Sequence, residues 1–160
     1  AITWVSNEDQ SLTREFVITS YSLNALKNMV TLATERLFPL MTGNIDMRNP
    51  LLPFKWEDVK KCFFDVFASS LGAYALDDPY FANKAFRSYS KLSVKLGEAK
   101  NELMLSHCTI EDGMDLIDLL TLLDAFLRES LEFARAARRY ETEYDERSFV
   151  DLQGEKEFDL

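Results

Sequence analysis

Along most of this chain apolar residues recur alternately three and four positions apart, the rhythm of an α-helix that buries one face. The N-terminal run reads Leu12, Phe16, Thr19, Leu23, Leu26, Val30, Ala33 and Leu37. Its spacing predicts a helix over about 11–38 whose a/d seam packs into a core. The helix is expected to end at Pro39, since proline lacks an N–H and restricts the residue before it. The next stretch, Met41 to Lys55, holds Gly43, Asn44, Asn49, Pro50 and Pro53 and reads as a loop.

Three more helices follow. Over about 56–75, Val59, Cys62, Phe63, Val66, Phe67 and Leu71 share one side. The next begins at Asp78-Pro79, where the carboxylate can cap free N–H groups and the proline at N1 needs no partner. It continues to about Ser106 with Ala82, Ala85, Tyr89, Leu92, Leu96, Ala99 and Leu103 on the same rhythm. Thr109-Ile110-Glu111-Asp112 opens the last helix with acids where the helix dipole favours them. It extends toward Tyr144, about 35 residues and about 50 Å by the helical rise. Strand-like alternation, βαβ order and internal repeats are missing from the pattern. The fold expected is all-α, an antiparallel four-helix bundle with a long C-terminal helical hairpin.

In such a hairpin, residues of the last two helices whose numbers add to roughly 215 lie side by side. Charges then match: Lys84 with Glu132, Arg87 with Glu129, Lys91 with Asp124, Lys95 with Asp118, Lys100 with Asp115, and Asp77 or Asp78 with Arg138. Complementary flanks set the orientation of paired helices, so the basic stripe on the third helix reads as structural.

A chain of 160 residues that is 47% hydrophobic fits one core. We expect a single helical domain over 1–147 and an acidic, flexible tail over 148–160. Residues 141–160 hold eight acids against Arg147 and Lys156, a net of −6 out of −9, which leaves −3 for residues 1–140. That balance excludes nucleic acid as a partner and disfavours anionic membrane surfaces, both of which demand clustered Lys and Arg. The stretch Met114–Leu127 is broken by Asp115, Asp118 and Asp124 and is too short to span a bilayer. No secretory signal pattern opens the sequence. Cys62 and Cys108 stand at no metal-ligand spacing and read as reduced, buried thiols, which favours an intracellular, cytoplasmic protein.

Catalytic signals are weak. His107 is the only histidine and sits where it would cap a helix C-terminus. The five glycines are scattered, with no phosphate-cradling loop. Glu111, Asp115 and Asp118 share a helical face, and Glu129 with Glu132 repeats a three-residue spacing, the kind of acid pairs that hold Mg²⁺ in all-α nucleotide pyrophosphohydrolases. Here, however, the two groups stand about 20 Å apart on one helix. No catalytic residue, cofactor or metal ligand is assigned.

Surplus apolar surface is the stronger signal. The loop region offers Leu51, Leu52, Phe54 and Trp56, and the last helix is apolar nearly all round, with Leu119, Leu122, Phe126 and Phe133 beyond what one seam needs. These eight are the candidate partner-binding residues. The function expected is a non-enzymatic helical protein–protein interaction module or assembly subunit, its partner another protein or a second copy as a homodimer. Two alternatives follow: an elongated dimeric membrane-remodelling scaffold of the BAR type, resting on helix length alone, and then an Mg²⁺-dependent nucleotide hydrolase.

Overall fold

The computed structural model describes residues 7–43, 45, 55–106 and 110–154, with side chains for 9–43, 45, 55–106 and 112–137. Among them the protein is an all-α helical bundle with no strand. Its elements are α1 (Asn7–Thr31), a π-helical turn (Leu32–Leu37), α2 (Phe38–Met41), α3 (Trp56–Leu76), α4 (Pro79–Leu105) and α5 (Ile110–Gly154). The loop residues Leu51, Leu52 and Phe54, together with His107, Cys108, the side chains of Glu111 and Arg138, and the acidic end over 155–160, lie outside the described residues. The α5 backbone is helical to Gly154, ten residues beyond the expected end at Tyr144.

Helices α3, α4 and α5 pack on one another around a shared core. At one end, small buried residues let the backbones approach closely: Ser69, Ser70 and Ala73 on α3, Ala82 and Ala85 on α4, Ser130, Ala134 and Ala137 on α5. The Ser70 and Ser130 hydroxyls donate to the Val66 and Leu127 carbonyls at 2.8 and 2.7 Å, so neither is orphaned by burial. Toward the other end the core widens to Leu92, Leu96, Leu103, Leu116 and Leu120. The α3–α4 turn forms as the sequence implies. Asp77 adopts φ 48° and its N–H reaches the Ala73 carbonyl, while Asp78 accepts from the Tyr80 N–H at 2.8 Å.

The Tyr89 contacts agree with the α4–α5 register expected, but the ion pairs expected among the described residues do not form, and the pair of Asp77 or Asp78 with Arg138 lies outside them. Tyr89 donates to Asp124 at 2.9 Å and accepts from Arg128 Nε at 3.0 Å, pairs whose numbers add to 213 and 217. Asp124 pairs with Arg128, Glu132 with Arg135, and Glu129 accepts from Asn28 of α1. Among the described residues no ion pair joins α4 to α5. Alanine and leucine fill the contact, and Lys84, Arg87, Lys91 and Lys95 project into solvent.

The N-terminal helix departs furthest from expectation. It does not stop at Pro39. The Phe38 N–H donates to the Ala33 carbonyl five residues back, and the wider π turn places Pro39 in the first turn of α2, where a missing N–H costs nothing. Nor does the predicted seam enter the core. α1 packs on α5 through Ile18, Ser22, Ala25 and Met29, a second row with its own four-three-four spacing. The small Ser22 and Ala25 allow the backbone to come close, and Ala25 and Met29 close over Phe133, Phe67 and Phe126. Of the predicted seam only Leu37 is fully buried, beside Leu119 and Leu123. The extra residue of the π turn sets everything after it back by about 100°, which swings Leu37 onto the α5 side.

Candidate interaction surface

Leu119 and Phe133 are buried, and Leu122 and Phe126 are half-buried. Phe126 stacks on Phe63 with centroids 5.6 Å apart and meets Phe67 at the same distance, while Phe133 takes the edge of Tyr74 at 5.3 Å. Trp56 is half-buried and packs against the Leu37–Leu119–Leu123 cluster. The apolar excess of α5 is therefore spent inside the chain, covered by α3 on one side and by α1, the π turn and α2 on the other. Of the four α5 residues expected to meet a partner, Leu119 and Phe133 have no open surface on the chain, and Leu122 and Phe126 keep part of theirs.

The open apolar surface lies on α1. Leu12, Phe16, Leu23, Leu26 and Val30 are between 46% and 73% exposed. They occupy one face together with exposed Thr19, about 110° around the helix from the row that meets α5. Beside this face runs α3. Thr19 and Glu15 line an open cleft of about 400 Å³ with Tyr74 and Asp77, and Phe67 packs against Ala25 and Met29. Glu15 and Thr19 of α1 thus face Tyr74 of α3 and its C-cap Asp77 across the cleft. Phe64, Leu71 and Tyr74 are themselves between 38% and 55% exposed. Exposed apolar residues of α1 and α3 thus flank an open cleft, with Phe133 of α5 packed against Ala25 and Met29 on one side and Tyr74 on the other.

Side chains presenting on the order of 150–200 Å² each when free leave roughly 800 Å² open across these eight residues. Monomeric proteins seldom expose a contiguous apolar patch of that size without using it. Charge on α1 is sparse. Over Asn7–Thr31, Glu8, Asp9 and Glu15 stand against Arg14 and Lys27, a net of −1. The Ser22 hydroxyl is buried beneath it without a hydrogen-bond partner, consistent with packing, not polarity, fixing α1 onto α5.

Asp115 and Asp118 are exposed, and among the described residues no group of three or more His, Cys, Asp or Glu could hold a metal ion. Among the same residues no helix is long and apolar enough to cross a membrane. Comparison with protein-family models, curated proteins and solved structures finds no match to this chain. Sequence reasoning named the residues of the α1 stripe but placed them in the core. The signal it missed was the second row, where Ser22 and Ala25 between Ile18 and Met29 mark the closer-packing face.

Proposed function

We propose that this chain is a non-enzymatic helical interaction module, a subunit of a larger assembly, which docks through the open face of α1 and the adjoining edge of α3. The observation that carries this reading is the apolar stripe from Leu12 to Val30, interrupted only at Thr19 and held outward by a helix already anchored through its other row. Helical spacing of the stripe suits a helix as the docked element, in the manner of a coiled-coil seam. The acidic C-terminal end adds long-range attraction for basic surfaces approaching the complex. Half-buried Cys62 is a free thiol, which fits work in a reducing, intracellular compartment.

The test is affinity capture with the wild-type chain and with Phe16→Glu/Leu23→Glu, two exposed positions whose replacement leaves the core intact. A partner held by the wild type and released by the variant supports the reading. A partner held equally by both places the docking surface elsewhere.

A further inference from the structure

We propose that the α1 face is a self-association surface, occupied by α1 of a second copy of this chain about a two-fold axis. The proposal rests on the interaction reading and names its occupant. Six stripe positions spaced four, three, four, three, four require a helix of matching period, and the chain supplies one. With the two α1 helices running in opposite directions, residues whose numbers add to 42 meet: Leu12 with Val30, Phe16 with Leu26, and Thr19 with Leu23. Every stripe residue then has a layer, and none overhangs.

Charge allows this contact and disfavours others. In that register Lys27 of one copy comes level with Glu15 of the other and Arg14 with Asn28, so no like charges are brought together. α1 carries −1 of the chain's −9, leaving −8 on the remainder, so this is a face across which two acidic copies approach with little repulsion. A strongly basic partner would find little on α1 to pair with. Area agrees as well. With each copy's α1 seated against the other's α1 and α3 edge, the exposed apolar area sets an upper limit of roughly 800 Å² per copy, about 1,600 Å² in total, which reaches the size of a standard stable interface.

Sedimentation equilibrium of the full 160-residue chain across the micromolar range tests the proposal. The wild type is expected to approach twice the 18.5 kDa chain mass, whereas Phe16→Glu and Leu26→Lys each sediment as monomers with unchanged helical circular dichroism. Mixing the two variants should restore a dimer, because the opposed register sets Glu at 16 against Lys at 26 of the other copy. A wild type that stays monomeric, a variant that stays dimeric, or a mixture that fails to dimerise overturns the proposal. A monomeric wild type whose captured partner is lost with Phe16→Glu/Leu23→Glu would leave the interaction module standing and remove only the second copy as its occupant.

Discussion

Tyr89 ties α4 to α5 with both sides of its hydroxyl, donating to Asp124 and accepting from Arg128. Burial, first among the causes, lifts its pKa above the ordinary 10.0; Asp124 reinforces the shift and the Arg128 hydrogen bond opposes it. The fold thus favours the protonated phenol. Its contribution is complete below pH 10 and is lost as pH rises through the raised value, because the unfolded chain releases the proton first. Tyr89→Phe is expected to cost about 1 kcal/mol at neutral pH and to flatten the alkaline loss of stability in denaturant titrations. Parallel alkaline slopes for the two proteins would contradict this. Gly97 makes a second test at the same scale. It lies on the exposed side of α4, and a Cβ there meets nothing within 4 Å. Gly97→Ala should therefore gain about 1 kcal/mol from helix propensity alone, seen as a rise of about 3 °C in Tm.

At the scale of elements, identical side chains differ by where the helix turns them. Phe126 stands at the centre of the aromatic contacts between α5 and α3, and Phe16 stands in solvent. Phe126→Ala is expected to cost about 3 kcal/mol, and Phe16→Ala less than about 0.5 kcal/mol when measured at concentrations where the chain is monomeric. Equal losses would mean that α1 is turned the other way. α3 and α4 were legible in the sequence with most of their inner faces, because Val59, Val66, Leu92, Leu96 and Leu103 follow a single rhythm, Leu71 being the exposed exception. α5 was legible as a helix, but apolar residues nearly all round it hid its inner face. The α3–α4 turn was legible too, through Asp78 and Pro79. α1 was not, for a physical reason: it carries two rows of the same spacing, and periodicity alone does not say which one packs. The larger residues marked the wrong row, since close approach to α5 favours Ser22 and Ala25. Pro39 misled in a related way. A π turn is set by tertiary contact at Leu37, and nothing in local propensity announces it.

At the scale of the molecule, α3, α4 and α5 account for the principal core, and α1 is added to it through α5. The consequence is an apolar edge between α1 and α3, which the docking proposal uses. The candidate site was therefore half legible: its residues stood in the sequence, but their exposure depended on α5 burying its own surplus beneath α3 and α1. The central claim is the rotation of α1, which the stability of two neighbouring substitutions, measured by chemical denaturation at monomeric concentration, tests most directly. Ala25→Glu is expected to cost about 3 kcal/mol or more, since it forces an unpaired carboxylate against Phe133, while Leu23→Glu stays within about 1 kcal/mol of wild type. A Leu23→Glu loss equal to or larger than that of Ala25→Glu would place the stripe in the core and contradict the account.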